Sequence, residues 1–282
     1  MVKRTALLVL TILTAGLCSP GHAQEITCMT YNIRFDNPAD GENRWDARKK
    51  NLVRLLREHD PDVFGIQEGL NHQVRYIDSL LEDYCFFGNG RDDGKDAGEF
   101  CAVFYKKSRF QLLQQGLFWL SETPGVPSRG WDAALNRICV YGMFKSINSR
   151  HRFLVFNTHL DHIGVLAREK SIELILEKAN ELNTDHVPVI ILGDFNLEPD
   201  DQTIQRMLNR YQDSRLVCRG DRSGPEGTFN DFRFDIPVTK RIDYIFVSKG
   251  KSKIKNYSVI ADANNGLYPS DHFPVFAVVK LR

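Results

Sequence analysis

The sequence predicts one α/β domain with mixed β-sheets, and three observations carry that prediction. Short runs rich in Val, Ile and Phe alternate with longer segments whose apolar residues recur at spacings of three and four. Several strand-like runs follow one another in the middle of the chain, as in a meander. No repeat, low-complexity tract or linker divides it. With 282 residues, 42% of them hydrophobic and 26% charged, the chain has a globular composition and the length for a sizeable core.

The first segment stands apart. Lys3 and Arg4 precede an apolar run, Ala6 to Leu17, and Pro20, Gly21, His22 and Ala23 follow, the pattern of a secretory signal peptide over residues 1–23. Cleavage is expected after Ala23, leaving residues 24–282 as the domain of an exported, periplasmic or extracellular protein. A lipoprotein anchor at Cys18 is the alternative, and the bulky Leu17 before it argues against it. The run is short for a membrane span and no other segment is apolar enough for one. Without residues 1–23 the chain keeps 35 basic and 36 acidic side chains, a charge of −1. Its five remaining cysteines form no C-x-x-C pair, so a zinc site is not expected, although export permits a disulfide. Cys28, Cys101 and Cys139 sit in strand-like runs and read as core. A monomer is expected.

Glu25 to Ile33 is the first strand, ending near Asn32. Trp45 to His59 is an amphipathic helix carried by Leu52, Leu55 and Leu56, and its basic residues from Arg44 to Arg57 read as a solvated face. Asp62 to Gln67 is a strand with Glu68 at its end, and Leu70 to Leu81 a helix. Gly88 to Gly98 is polar and Gly-rich and reads as a mobile loop. Phe100 to Tyr105 and Phe110 to Gln114 are strands, Ser121 to Trp131 a long loop, and Arg137 to Ile147 with Arg152 to Thr158 a hairpin that delivers His159. Ala167 to Leu182 is a long helix, Val187 to Leu192 a buried strand and Thr203 to Leu208 a short helix. Gly220 to Pro237 is irregular, Arg241 to Ser248 and Ile254 to Ile260 are strands, and Ser270-Asp271-His272 leads into a last strand, Phe273 to Leu281.

Asn32, Glu68, His159 and Asp194 each fall at the carboxyl end of a separate strand. Each has an ordinary structural explanation alone, and Asp194 with Asn196 would suit an Asx-turn. Four such side chains ending strands of one sheet would meet at one rim. Asp243, Asp271 and His272 add two carboxylates and an imidazole. Carboxylate and amide oxygens without a thiolate favour magnesium, manganese or calcium over zinc. Two histidines among carboxylates supply an acid and a base whose pKa values can be pulled apart. The chain has no G-x-S-x-G, Walker A or G-x-G-x-x-G pattern, which removes support for acyl transfer, NTP hydrolysis and dinucleotide binding. Hydrolysis of a phosphate ester fits what is left.

Thr30–Arg34 (TYNIR), Gln67-Glu68, Asn157–His162 (NTHLDH), Gly193–Asn196 (GDFN), Arg241–Phe246 (RIDYIF) and Ser270–Val275 (SDHFPV) occur in this order. Together they resemble the endonuclease/exonuclease/phosphatase superfamily of metal-dependent phosphohydrolases, and Phe118–Pro124 with Gly130–Arg137 make the chain look most like secreted bacterial members. The resemblance implies a four-layer sandwich, two mixed β-sheets flanked by helices, with the active site at one edge. It implies magnesium or manganese held by Glu68, with Asn32 and Asp271 helping. Asp194 and Asn196 would hold the attacking water and a phosphate oxygen, and His159 and His272 would contact the scissile phosphate. Asp243 would orient His272, and Arg137 would clamp phosphate, its other reading being a strand-end salt bridge. Asp194 and His272 both remain candidates for the general base.

Members of the superfamily act on DNA, RNA tails, sphingomyelin and inositol phosphates, so the resemblance leaves the substrate open. Two loops are candidates to read it, Phe118–Trp131 with its two tryptophans and Thr228–Phe234 with three phenylalanines, although both sets also suit rim packing. A charge of −1 provides no global field for a polyanion, and the basic clusters Arg48–Lys50 and Lys249–Lys255 read first as solvated faces. The leading expectation is a phosphodiesterase or phosphatase acting on a compact substrate. A secreted endo- or exonuclease is the narrower alternative, with nucleic acid a possible partner that the charge does not favour. A non-catalytic binding module is the alternative from another class, and metal-dependent turnover of a phosphoester excludes it.

Overall fold

The computed structural model describes residues 24–264 and 266–282. The signal-peptide reading falls on residues 1–23, outside the described residues. In chain order the elements are β1 Glu25–Asn32, a 3-10 turn at Pro38–Asn43, α1 Trp45–His59, β2 Val63–Gly69, α2 Asn71–Leu80, β3 Tyr84–Gly90, β4 Phe100–Lys106 and β5 Phe110–Trp119. Then come β6 Ile138–Ser146, β7 Arg152–His159, α3 Val165–Leu182, β8 Val189–Asp194, α4 Gln202–Arg210, β9 Tyr211–Asp213, α5 Ser214–Val217, β10 Arg222–Ser223, β11 Asp243–Ser248, β12 Ser252–Val259 and β13 Val275–Leu281. One sheet has the order β10-β12-β13-β1-β2-β4-β3 and the other β5-β6-β7-β8-β11-β9.

The two sheets share a local plan. In one, β2 runs parallel to β1 and β13 antiparallel to it; in the other, β7 runs parallel to β8 and β11 antiparallel. The carboxyl ends of β1, β2, β7 and β8 therefore meet the amino ends of β11 and β13 at one edge of the sandwich. Two mixed sheets are present as the resemblance implies, and only the expectation that the four strand-end side chains share one sheet is corrected. Asn32 and Glu68 belong to the first sheet and His159 and Asp194 to the second, so the rim runs across the gap between sheets.

Side-chain alternation builds the layers. In β8, Ile190 and Leu192 pack between the sheets, while Val189 and Ile191 pack outward with residues of α3 and α4. In β1, Ile26 and Cys28 face the other sheet, and Met29 and Tyr31 pack with Leu52 and Leu56 of α1. Strands covered on both faces read as continuous apolar runs, which is how the sequence marked them. Cys28, Cys101 and Cys139 are buried, and all five cysteines of the described residues are free.

A polar brace crosses the gap beneath the site edge. A Cβ at Gly65 would lie 2.2 Å from Leu192 Cδ1 and 2.7 Å from Asn157 Cγ, so only glycine permits this approach. Asn157 Nδ2 donates to the carbonyls of Ile66 and Ala102 at 2.9 Å each, and Gln67 Nε2 donates to Asn157 Oδ1 at 2.6 Å. The pairing of β2 with β4 slips between Ile66 and Gly69, and Glu68 there takes a left-handed φ of 64°. The irregularity aims the Glu68 side chain at the rim, and the brace supplies donors to backbone next to it.

Several expectations change. The segment read as a loop from Gly88 begins inside β3, and its turn is hydrogen-bonded, with Asp93 accepting from the Lys95 and Ala97 backbones. Phe118 and Trp119 end β5 and do not open a loop, because they pair with Cys139 and Ile138. The face of α1 is not wholly solvated. Arg48 is buried, and its guanidinium donates to the carbonyls of Ile33, Arg34, Phe35, Asn43 and Pro269. Five donors in a rigid fork can hold two separate loops at once, which no apolar residue can do. Arg48→Met should cost about 3–5 kcal/mol, since the carbonyls stay buried without donors. Chemical denaturation would measure this; a loss under about 1 kcal/mol would show that water replaces the guanidinium.

Candidate active site

Three side chains stand in one row across the second sheet. His159 of β7 is opposite Asp194 of β8, which is opposite Asp243 of β11. His159 Nε2 lies 3.5 Å from Asp194 Oδ2. From the first sheet, Asn32 Nδ2 donates to Glu68 Oε1 at 2.9 Å and to Asp194 Oδ2 at 3.0 Å, joining the sheets at the rim. His272, just before β13, pairs through Nδ1 with Asp243 Oδ2 at 2.9 Å and turns Nε2 to within 3.8 Å of Asp194. Asp271 lies beside Arg34, 3.7 Å from its Nε. Asn196 forms the Asx-turn considered from the sequence, its backbone N–H donating to Asp194 Oδ1 at 2.9 Å, and it also lines the cavity. The Asx-turn reading of Asp194-Asn196 is therefore correct, and the turn stands at the cavity.

The sequence-predicted residues other than Asn32 and Asp243 line one cavity of about 460 Å³, and those two support it from beneath. Arg137 stands immediately before β6 and is buried. Its Nε pairs with Asp161 at 3.3 Å and its Nη2 meets His162 Nδ1 at 3.0 Å, while Nη1 has no partner. The salt-bridge reading is therefore correct, and Nη1 is a buried donor without a partner among the described residues. Burial would raise the Asp161 carboxyl, but the backbone N–H groups of Gly164, Ile163 and Ala134, with Arg137, hold it well below the usual range.

Burial and charge separate the two imidazoles. Burial first, then Arg137 and Arg91, push His159 well below its ordinary value, so it is neutral. Burial pulls His272 in the same direction, but Asp243, by charge and hydrogen bond, and then Asp194 and Asp271 raise it to about 10. Asp194 is raised to about 7 by burial and then by Asp243, against the opposing pull of His272 and Asn32. Asp271 is raised to about 6, chiefly by burial.

The sequence reading missed Glu99 and Arg91. Glu99 Oε1 accepts from Arg91 at 2.7 Å, Oε2 lies 4.0 Å from His159 Nδ1, and burial followed by the charge of Glu68 raises the carboxyl to about 7. Both residues bound a segment whose composition is that of a surface loop, so only the strand pairing on either side reveals that they point inward. Of the aromatic candidates, Phe229 and Phe232 line the cavity, whereas Trp119 is buried and donates to the Arg91 carbonyl.

The donor set fits a hard divalent cation. Glu68, His159 and Asp194 each offer a ligand atom within 4.8 Å of the others, and so do Asp194, Asp243 and His272. The second group is better described as a hydrogen-bonded array, because a protonated His272 has no lone pair for a metal. Asn32 turns its nitrogen to Glu68 and its oxygen to the Arg34 backbone, so in this arrangement it orients Glu68, and ligation would require the amide to turn over. Carboxyls raised by burial and mutual repulsion hold protons more tightly folded than unfolded. Their stabilisation is present in acid and is lost as pH rises through about 6 to 7 at Asp271 and Asp194. A divalent cation offsets that loss, by about 2–3 kcal/mol at a hundredfold excess over Kd. Magnesium or manganese should therefore raise Tm more at pH 8 than at pH 5, and equal increments at both would contradict this account.

Among the described residues, no helix is long and apolar enough to cross a membrane. The family model described as "Endonuclease/Exonuclease/phosphatase family" matches residues 29–272. The fold superposes on a protein of that family from Bacteroides thetaiotaomicron with a TM-score of 0.88, 39% identity, and coverage of 93% of this chain and 99% of the other. A mannosyl-6-phosphatase from Bacteroides thetaiotaomicron superposes with a TM-score of 0.86 and 40% identity, over 90% of this chain and 99% of that one. An uncharacterized protein of Acanthamoeba polyphaga mimivirus is 28% identical over 180 residues, 61% of this chain and 66% of the relative. The match to Drosophila melanogaster protein angel spans 48% of that relative, so the likeness covers only part of these curated proteins.

Proposed function

Because the chain belongs to the endonuclease/exonuclease/phosphatase family, we propose that it is a metal-dependent hydrolase of a compact phosphate ester, above all a sugar phosphomonoester. The observation that carries this reading is the cavity. At about 460 Å³ it suits a small-molecule ligand, and its lining brings together His159, His272 and Arg137, the groups we assign to one phosphate. The 40% identity to a mannosyl-6-phosphatase supports the same substrate class. The leader-like residues 1–23 support export to the periplasm or beyond.

Glu68 and Asp271 would hold magnesium or manganese, with Asn32 orienting Glu68. The cation would polarise the phosphoryl oxygens. Asp194, with a carboxyl near neutrality, accepts the proton of the attacking water, and the Asn196 amide steadies that water or a phosphoryl oxygen. His272, kept protonated by Asp243, places a positive charge against the charge that builds on phosphorus oxygens, and Arg137 does the same from the position just before β6. His159 acts as a neutral hydrogen-bonding group near the leaving oxygen.

The test is a panel of hexose phosphates, inositol phosphates, sphingomyelin, an aryl phosphodiester, RNA and duplex DNA, each with magnesium or manganese. Sugar phosphomonoesters should turn over fastest, a chelator should stop the reaction, and added metal should restore it. Efficient cutting of DNA, with binding that falls steeply with salt, would instead favour the nuclease reading.

A further inference from the structure

Six carboxylates line the cavity: Asp40, Glu68, Glu99, Asp194, Asp231 and Asp271. Five have partners. Asp40 holds Arg34 through two hydrogen bonds, Glu68 and Asp194 accept from Asn32, Glu99 pairs with Arg91, and Asp271 accepts from Ser270 Oγ. The side chain of Asp231 is exposed and accepts none of these bonds, its charge acting on Arg233 two residues along.

The turn that carries it is built with care. Asp231 and Phe232 both take left-handed backbone angles, φ 51° and 56°, a conformation that non-glycine residues rarely adopt in succession. The neighbouring strip overdetermines that conformation. The N–H groups of Asn230 and Asp231 both donate to the Asp271 carbonyl, at 2.8 and 3.1 Å, and Asn230 Nδ2 donates to the Ser270 carbonyl. The Phe232 N–H donates back to Asn230 Oδ1, and Phe229 sets its ring edge-on against His272, with centroids 5.1 Å apart. A strained turn fastened to the backbone of Ser270 and Asp271 thus places one carboxylate and one aromatic ring at the cavity.

That pair has a definite chemistry. A carboxylate whose oxygens are not taken by hydrogen bonds accepts from hydroxyl groups, and an aromatic face packs on the C–H face of a ring. The same charge repels a second phosphate. We propose that Asp231 and Phe232 read the alcohol part of the ester, and that this alcohol is a neutral polyol such as a sugar ring. The inference rests on the phosphatase reading above and adds the residues that choose among phosphoesters.

The test compares hexose 6-phosphate, a hexose bisphosphate and 4-nitrophenyl phosphate, in the wild type and in Asp231→Gly, Asp231→Asn and Phe232→Ala. Glycine keeps the left-handed backbone while removing the acceptor, which separates the carboxylate from the fold. The kcat/KM ratio of hexose 6-phosphate over the aryl phosphate should fall about tenfold or more in Asp231→Gly, mainly through KM. Phe232→Ala should lower the same ratio. Asp231→Asn should lower it less and improve the bisphosphate relative to the monophosphate. An unchanged ratio in Asp231→Gly would overturn the assignment, whether both rates fall together or neither does. A wild type that cleaves the aryl ester but no polyol phosphate would overturn it while leaving the hydrolase reading intact. A wild type that cleaves none of the three, nor any other ester of the panel above, would overturn both.

Discussion

Glu68→Gln should lower turnover by about a thousandfold, roughly 4 kcal/mol of transition-state stabilisation. The substitution removes one charge and leaves the shape. Glu68 stands at a strand end with its oxygens toward Asn32 Nδ2 and the Phe35 backbone N–H, outside the packed cores on either face of the sheet. The left-handed backbone at this position is held by β2 pairing and by the Asn157 brace, neither of which needs the carboxylate. Folding should therefore survive, and the loss should appear as weaker dependence on the cation. Turnover measured against magnesium or manganese concentration, with thermal melts of the same samples, separates the two effects. Wild-type kcat at wild-type metal concentration would remove Glu68 from the metal site.

What the sequence showed of this site follows from where its residues sit. α1 runs from Trp45 to His59 as its apolar spacing indicates, and it stops where Asp60 takes a left-handed angle before Pro61. β8 and β11 are continuous apolar runs because both of their faces are covered, so the strands could be found by eye, although β8 is Val189–Asp194 where the sequence predicts Val187–Leu192 and β11 starts at Asp243 and not at Arg241. The same double burial hid which strands share a sheet, since periodicity within a strand carries no information about its neighbours. β3 was missed because its sequence, YCFFGNG, runs into glycines that look like a loop, and β9 because three residues give no period. Arg48 and Glu99 were missed for a different reason. A charged residue in a polar stretch reads as solvated, and only tertiary contacts with distant loops and strands turn it inward.

The edge site also explains why neither sheet is sufficient. Glu68 and Asn32 come from one sheet and His159, Asp194 and Asp243 from the other, and the Asn32 amide spans them. Small relative movements of the sheets would change the Glu68 to Asp194 spacing directly. Gly65 and the Asn157 brace lie next to that spacing, where glycine lets Leu192 and Asn157 of the other sheet approach the backbone of β2. Packing at the middle of the sandwich and chemistry at its rim are thus set by the same few residues.

Asp194→Asn should lower kcat by a factor of about 10² to 10⁴, the range for a lost general base. The pH profile distinguishes this from simple disruption. In the free protein Asp194 loses its proton near 7 and His272 near 10. A base that must be ionised gives activity that rises with pH through the first value, and an imidazolium that must stay charged gives activity that falls through the second. Because Asp194, Asp243 and His272 are in mutual contact, both limbs are properties of the group. A cation beside Asp194 lowers the acid limb, so that limb should lie at or below about 7 and move down as metal is added. Asp194→Asn should abolish the acid limb. Asp243→Asn should leave an acid limb but draw the alkaline limb down by a unit or more, because the largest of the groups raising His272 is then gone. Profiles of kcat/KM from pH 5 to 10.5 on one substrate, for the wild type and both variants, provide the check. An alkaline limb that does not move in Asp243→Asn would show that His272 is not the charged group, and an acid limb retained in Asp194→Asn would return the general base to another residue.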